Sequence, residues 1–344
     1  RMAPPSRPWV LVTQLSKFAE VKFLPADAST IDPGINLLLI VHPKNLGEQA
    51  LYAIDQYLVK GGSAFIAVDP YCSVDQPKTD AENPMAAMTA DRSSNLKSLM
   101  QAWGVKLVER KVVADIDMAT KVSSGQTRDQ QLFPVWLTLG SDAAGAKGLV
   151  NRSNIVTSQL ENVMLAWPGA LELSKVDGVT VESLLQTTDT AMLFDEQTIR
   201  FSGDNPDQIL KDYQRGSQSY TLAVRIGGKL KSAFPGKPGE KQQENMSTAD
   251  GHTAQGVKDA NIIVIADVDF LADRYAAYVQ QFLGTQIVTL INDNLVLAAN
   301  AVENLAAGSA DLISLRSRGK YTRPFTRVQA IEARAAEKWK LEEE

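Results

Sequence analysis

An alternation of a buried strand, an amphipathic helix and a second buried strand near the start of the chain restricts the folds open to this sequence. Residues 35–41 form an almost continuous apolar run between proline and glycine residues, which is typical of a strand covered on both faces. Residues 46–60 carry an apolar stripe with helical spacing and end at Gly61-Gly62, and residues 63–68 form a second apolar run. The pattern predicts a β-α-β unit with parallel strands and a right-handed crossover.

The rest of the chain carries further strand and helix patterns. Outside the first unit, the sequence predicts helices at 94–103 and 292–305 and strands at 105–113 and 261–266. From about 114 to 233 the helical period fades and short segments with a β pattern dominate. We therefore expect an α/β domain over residues 9–326, in which helices cover both faces of a largely parallel sheet and residues 114–233 form a β-rich elaboration.

Three segments differ in composition from this domain. Residues 1–8 contain three prolines and no apolar signal-peptide core, so we interpret them as a linker from a missing upstream region. Residues 234–259 contain four glycines among many polar residues, which predicts a flexible loop. Residues 327–344 have helical spacing with no glycine or proline to end the helix. These features indicate a soluble piece of a longer polypeptide.

Composition and motifs argue against several functional classes. The 344 residues include 35 Lys and Arg against 40 Asp and Glu, a formal charge of −5, which gives no overall electrostatic reason to bind nucleic acid. No run approaches the roughly 18 apolar residues of a membrane-spanning helix. A glycine-rich phosphate loop, Gly-x-Ser-x-Gly and His-Glu-x-x-His are all absent from the sequence. We therefore predict no cofactor and no metal ion.

The residues that directly follow the predicted strands form a candidate ligand site. Open parallel sheets bind ligands beyond the carboxyl ends of their strands. The polar side chains at these positions are His42, Asn45, Asp69, Tyr71, Asp267 and Asp269. They could line a polar crevice that binds a small ligand. The alternative is that Asp and Asn serve here only as turn and helix-cap residues.

The single cysteine, Cys72, also follows a predicted strand, as nucleophilic cysteines do in some α/β enzymes. The sharp elbow of those enzymes needs small residues beside the nucleophile, whereas Cys72 lies between Tyr71 and Ser73. Only two histidines could act as a base, and His252 falls in the predicted flexible loop. The sequence therefore favours a thiol without a catalytic role.

A local basic patch lies near the end of the chain, although the net charge of the whole chain is negative. Its members, which have no acidic residue among them, are Arg316, Arg318, Lys320, Arg323 and Arg327. Such a cluster attracts anionic lipid headgroups or an acidic partner surface. A solvated segment without a partner is the other interpretation.

Several short segments together resemble the auxiliary component of gliding-motility-type ABC transport systems. The segments that carry the resemblance are residues 41–46 (VHPKNL), 50–57 (ALYAIDQY), 61–62 (GG), 68–70 (VDP), 266–273 (ADVDFLAD), 300–305 (NAVENL) and 311–318 (DLISLRSR). No single segment is specific, but together they extend the resemblance from about Pro4 to Arg334.

The resemblance implies a region on the periplasmic side of the inner membrane, in a parent protein anchored by membrane segments absent from this chain. Residues 327–344 would lead toward one of those anchors. The implied partners are the ABC permease and ATPase subunits of the same system. The implied fold is the class I glutamine amidotransferase-like α/β sandwich without its catalytic residues, in agreement with the missing elbow at Cys72.

These observations lead to one first expectation and two alternatives. We expect a non-catalytic extracytoplasmic accessory domain of a membrane ABC transport system, which binds a partner or ligand and no nucleic acid. The first alternative is a solute receptor for a sugar-like or peptide-like ligand. The second is a cryptic hydrolase or amidotransferase.

Overall fold

A computed structural model describes residues 8–76, 89–123, 130–140, 149–203, 205–239, 251–282 and 285–306. Its strands are β1 (Leu38–Val41), β2 (Ser63–Ala67), β3 (Val105–Leu107), β4 (Lys111–Ala114), β5 (Ala119–Ser123), β6 (Gln130–Gly140), β7 (Asn162–Ala166), β8 (Leu171–Leu173), β9 (Val179–Gln186), β10 (Met192–Asp195), β11 (Thr221–Gly228), β12 (Ala260–Ile265), β13 (Ala277–Phe282) and β14 (Thr285–Leu290). Its α-helices are α1 (Val10–Leu15), α2 (Glu48–Val59), α3 (Lys97–Ala102), α4 (Glu196–Ser202), α5 (Pro206–Asp212), α6 (Asp273–Ala276) and α7 (Asn294–Ala306), and Asp269–Leu271 forms a 3₁₀ turn.

The first β-α-β unit is present as predicted. Strands β1 and β2 pair in parallel, with Leu38 opposite Ala64, and α2 connects them. After α2 the chain turns at Gly61, whose φ is +92°, and a Cβ at Gly62 would lie 2.4 Å from Tyr57 Cε1. The two glycines at the helix end thus allow the sharp return into β2.

The central sheet is mixed rather than largely parallel. Its strand order is β1-β2-β12-β11-β8-β3, and β9 also pairs with β11. Strands β1, β2 and β12 run parallel, whereas the described pairs formed by β11 and β8 are antiparallel. The prediction of a largely parallel sheet is corrected to three parallel strands. The five residues of β2 are all buried, whereas the first five residues of β9 alternate between half-buried and exposed positions, as antiparallel strands with one solvated face do.

Helices cover both faces of the parallel part of the sheet, as predicted. Alternate residues of β2 and β12 enter two separate apolar clusters. Phe65 and Ile263 lie in a cluster with residues of α1 and α7, such as Leu297. Ile66 and Val264 belong to a cluster with residues of α2 and α3. This two-sided burial accounts for the continuous apolar runs in the sequence.

The stretch 105–113, predicted as one strand, divides into β3 and β4. Arg110 adopts a left-handed φ of 56° between them. Strand β3 joins the central sheet through β8, whereas β4 pairs with β10 in a separate two-stranded sheet. The single-strand prediction is therefore wrong. The turn falls within the charged run Glu109-Arg110-Lys111, which contains no glycine or proline.

The β-rich character of residues 114–233 is present, with two additional helices. Strands β5, β6 and β7 form an antiparallel sheet, while β8, β9 and β11 extend the central sheet. Helices α4 and α5 have seven residues each, too short to show an apolar stripe in the sequence. The start of α5 nevertheless carries a signal, because Asn205 Oδ1 accepts a hydrogen bond from the Asp207 N–H at 3.1 Å and Pro206 is the first helical residue.

Several predictions fall outside the described residues. These are most of the linker (residues 1–7), residues 240–250 of the predicted loop, the basic patch of Arg316, Arg318, Lys320, Arg323 and Arg327, and the helix at 327–344. Within the described ranges, no helix combines the length and the apolar character needed to cross a bilayer.

Candidate functional site

Three aspartates from the predicted crevice meet inside the protein, beyond β2 and β12. Asp69, Asp267 and Asp269 are each 0 % exposed. Asp69 Oδ1 accepts a hydrogen bond from the Tyr71 N–H at 2.7 Å, and its Oδ2 accepts one from the Val268 N–H at 2.8 Å. The Asp69 carboxylate therefore ties the end of β2 to the end of β12.

The other two aspartates bind backbone amides in the same way. Asp267 accepts hydrogen bonds from the N–H groups of Ala166, at 2.7 Å, and Phe270, at 3.0 Å. Asp269 accepts two from the segment after β2, at 2.8 and 3.1 Å. Each of the six carboxylate oxygens thus accepts a backbone hydrogen bond: four of these bonds link segments distant in sequence, and the two from Tyr71 and Phe270 close local turns. This geometry favours the turn-forming interpretation for these three residues, and their direct contact with a ligand stays a prediction.

Burial and mutual repulsion disfavour the charged forms of these carboxylates. Burial raises the pKa of Asp69 well above its usual range, and the nearby Asp269 and Asp267 raise it further. Burial and Asp269 raise the pKa of Asp267 in the same way. The pKa of Asp269 is also raised by burial, against the opposing effect of hydrogen bonds from Ser73. The three buried carboxyl groups therefore keep their protons to higher pH than exposed carboxyl groups do.

Cys72 lies against this cluster and is 1 % exposed. Its Sγ lies 3.5 Å from Asp269 Oδ1, and burial together with Asp69 and Asp269 raises the pKa of the thiol. Ligand atoms of Asp69, Cys72 and Asp269 lie within 4.8 Å of one another. Metal binding would require a thiolate and available carboxylates, and this environment disfavours both.

His42 and Asn45 occupy the loop between β1 and α2, where both adopt left-handed φ values of 53° and 57°. His42 Nε2 lies 3.3 Å from Asp75 Oδ2, which also lies 2.6 Å from Lys44 Nζ. Burial lowers the pKa of His42 more than Asp75 raises it. Hydrogen bonds from Lys44 and His42 lower the pKa of Asp75 against the opposing effect of burial. His42 thus lies beside the ion pair of Lys44 and Asp75, and Asn45 is exposed.

Tyr71 lines a small pocket beyond the end of β2, with a volume of about 210 Å³. The other described lining residues are Ser73, Arg92, Trp167, Ile199, Gly203 and Arg274. The Arg92 guanidinium lies 5.7 Å from the centroid of the Tyr71 ring. Two guanidinium groups and two large aromatic rings thus share one concave surface, a combination suited to an anionic group with an apolar body. We call it the arginine–aromatic pocket.

An aromatic cluster supports the wall of this pocket. Trp136 and Trp167 meet edge to face with centroids 5.3 Å apart, and Trp136 meets Tyr275 in the same way at 5.5 Å. Tyr275 also shares a hydrogen bond of 2.8 Å with the Ser73 hydroxyl. Edge-to-face packing favours defined ring orientations, so the wall that Trp167 presents is held in place from behind.

A larger cavity of about 1080 Å³ lies toward the amino ends of β1 and β2. Tyr52 and Tyr57 of α2 line it together with Lys60 and Lys258. Sequence reasoning that concentrates on carboxyl strand ends does not find this cavity.

The sequence identified one part of the candidate site and missed another. It identified Tyr71 in the arginine–aromatic pocket and the three aspartates beside it. It missed Arg92, Trp167 and Arg274. Trp167 follows β7 directly, so the strand-end rule would have found it had it been applied beyond the central sheet. The two arginines carry no comparable local signal.

Comparisons with known proteins give one family match and one distant structural likeness. A family model described as "ABC-type uncharacterized transport system", an auxiliary family, matches residues 2–301. A search of curated proteins gave no match. A solved structure titled "mmIFT52 N-terminal domain" is 11 % identical, with a TM-score of 0.43, over 86 % of this chain and 89 % of that chain.

Proposed function

The chain belongs to the auxiliary family of ABC-type transport systems, and from this premise we propose that it is a non-catalytic, extracytoplasmic domain that binds a partner or ligand. The family implies membrane transporter partners, and we propose the permease and ATPase subunits of one system. The finer proposals are a gliding-motility-type system, a glutamine amidotransferase-like fold without catalytic residues, and a place on the periplasmic side of the inner membrane in an anchored parent protein.

The observation that carries the binding role is the arginine–aromatic pocket. It lies beyond the carboxyl end of β2, where α/β sheets commonly bind ligands. Its wall is held by the packing of Trp136, Trp167 and Tyr275, and preorganised walls lower the cost of binding.

The surroundings of Cys72 support a non-catalytic role. A nucleophilic cysteine needs an accessible thiolate. Here the thiol is buried, its pKa is raised, and the neighbouring groups are Asp69 and Asp269 rather than a cation. A hydrolase that used this thiol would lose its activity on Cys72→Ser, so an activity that disappears in this variant would contradict the proposal.

A second candidate function is a solute receptor for a sugar-like or peptide-like ligand. The presence of Tyr71 and Trp167 in the pocket lining favours it, because aromatic side chains supply rigid contact area for such ligands. A thermal-shift screen with sugars and short peptides would detect a ligand of this kind, since binding to the folded state raises the melting temperature.

Affinity purification from detergent-solubilised native membranes tests the partner role. We expect the permease and the ATPase of one ABC system to co-purify with the tagged protein. Neutralising Arg316, Arg318, Lys320, Arg323 and Arg327 together tests whether the basic patch contacts membrane or partner, and we expect the yield of permease to fall. Recovery of no ABC subunit with the unaltered protein would contradict the proposed role.

A further inference from the structure

We propose that the arginine–aromatic pocket binds the carboxylate group of a small aromatic or apolar acid. The inference deepens the proposed binding role, on which it rests, by assigning a chemical class to the ligand. The residues that would make the contacts are Ser73, Arg92, Trp167 and Arg274, with Tyr71 as the second aromatic wall.

The pocket concentrates positive charge that the described residues do not neutralise. Within the described ranges, neither Arg92 nor Arg274 forms an ion pair. Two other arginines, by contrast, have an acidic partner: Arg200 pairs with Glu196, and Arg110 lies 3.2 Å from the same carboxylate. Two guanidinium groups facing one concave surface repel each other, and an anion between them would remove that repulsion.

Two of the residues that line the pocket carry buried hydrogen-bond donors without partners in the described part of the chain. Arg92 Nε and Trp167 Nε1 are buried and have no hydrogen-bond partner among the described residues, and Trp167 as a whole is 2 % exposed. Most buried polar groups in folded proteins are satisfied, so two unsatisfied donors at one pocket need an explanation. A ligand that brings acceptor oxygens supplies one.

The second arginine is positioned before any ligand arrives. Arg274 is exposed, but its guanidinium lies 4.6 Å from the centroid of the Tyr275 ring, and stacking on an aromatic face restrains a guanidinium. Tyr275 in turn shares a hydrogen bond with the Ser73 hydroxyl, which also lines the pocket. A restrained guanidinium loses less side-chain entropy when it binds an anion.

The dimensions favour one planar group rather than a whole solute. The pocket has a volume of about 210 Å³, below the roughly 300–1,000 Å³ of sites that enclose drug-sized ligands. Tyr71 and Trp167 meet at an interplanar angle of 73° with centroids 6.3 Å apart, so the apolar walls stand at an angle to each other. A flat acid with its carboxylate toward the arginines fits such a space.

The composition of the lining favours a carboxylate over a phosphate. Phosphate sites commonly use helix N-termini or successive backbone N–H groups of a glycine-rich loop. The described lining includes one glycine, Gly203, which lies at the carboxyl end of α4. A guanidinium instead matches the planar geometry of a carboxylate with two parallel hydrogen bonds.

Isothermal titration calorimetry with benzoate, N-acetyl-phenylalanine and inorganic phosphate tests the proposal. Benzoate represents a free acid, and N-acetyl-phenylalanine represents the carboxyl end of a peptide. We expect at least one of the two acids to bind, and Arg274→Gln to weaken it at least tenfold, or about 1.4 kcal/mol. Arg92→Gln provides a second variant. Arg215→Gln is the matched control, because Arg215 is an exposed arginine outside the pocket that pairs with Asp117, and we expect it to leave the affinity unchanged.

The ratio of the two acid affinities identifies the source of the carboxylate, a free acid or a peptide. Absence of binding by both acids, tighter binding of phosphate than of either acid, or an equal effect of Arg215→Gln and Arg274→Gln would overturn the proposal. None of these results would affect the co-purification of ABC subunits, so the failure of this inference is distinguishable from the failure of the proposed function.

Discussion

Replacing Asp267 with alanine tests whether the buried aspartates hold the strand ends together. In the folded protein Asp267 is 0 % exposed and accepts hydrogen bonds from the Ala166 and Phe270 N–H groups at 2.7 and 3.0 Å. Asp267→Ala leaves both buried donors without partners, at about 1–3 kcal/mol each. Removal of a carboxylate that is costly to bury offsets part of this loss. We expect the free energy of unfolding to fall by about 2–4 kcal/mol, a large part of the total of most proteins.

Asp293→Ala is the matched control for this substitution. Asp293 Oδ2 also accepts two backbone hydrogen bonds, from Glu161 at 2.7 Å and Asn162 at 3.0 Å, but these bonds are exposed to solvent and Asp293 is only half-buried. Water can replace a lost surface acceptor, so we expect a loss of about 1 kcal/mol or less. Urea unfolding followed by circular dichroism measures both values. A loss in Asp267→Ala no larger than that in Asp293→Ala would refute the strand-tying role.

Three further predictions concern the pKa of Asp69, the packing around Gly62 and the burial of Cys72. The folded state raises the pKa of Asp69 above its unfolded value of about 3.9. The stability contributed by protonated Asp69 is therefore complete below a pH of about 3.9 and is lost as the pH rises through the folded pKa. Urea unfolding between pH 5 and 7 should show a steeper fall of stability with pH in the wild type than in Asp69→Asn, and equal slopes would contradict this. Gly62→Ala should cost about 1–3 kcal/mol by overpacking, since its Cβ would lie 2.4 Å from a Tyr57 ring carbon, whereas Gly236→Ala, with nothing within 4 Å of the added Cβ, should change the urea midpoint little. Cys72, which is buried with a raised thiol pKa, should react with iodoacetamide only after unfolding, and rapid alkylation of the native protein would show the thiol to be accessible.

The fold was predictable where burial on both faces leaves a continuous apolar run. Strands β1, β2 and β12 and helices α2 and α7 follow from such runs and from helical apolar spacing. The antiparallel strands were less predictable, because pairing direction depends on which strands meet in space rather than on local pattern. The turn at Arg110, which separates β3 from β4, has no glycine or proline to mark it.

The candidate site was predictable only in its strand-end residues. The rule that ligands bind beyond carboxyl strand ends identified Tyr71 and the buried aspartates. It could not separate a residue that faces a pocket from one that binds backbone amides, since aspartate serves both roles at a strand end. Arg92 and Arg274 line the pocket from segments distant in sequence. Local patterns in a single sequence do not predict that two such residues lie close together in the fold.

Site-specific photo-crosslinking in living cells of the source organism tests the central claim most directly. A photoreactive phenylalanine analogue would replace Phe201, which is 82 % exposed and lies in the chain between the pocket residues Ile199 and Gly203. The same analogue at Phe23, which is 79 % exposed and outside the pocket lining, samples a second surface. We expect mass spectrometry to identify a subunit of an ABC transport system among the proteins crosslinked at one or both positions. Crosslinks at both positions only to proteins outside any ABC system would contradict the proposed role.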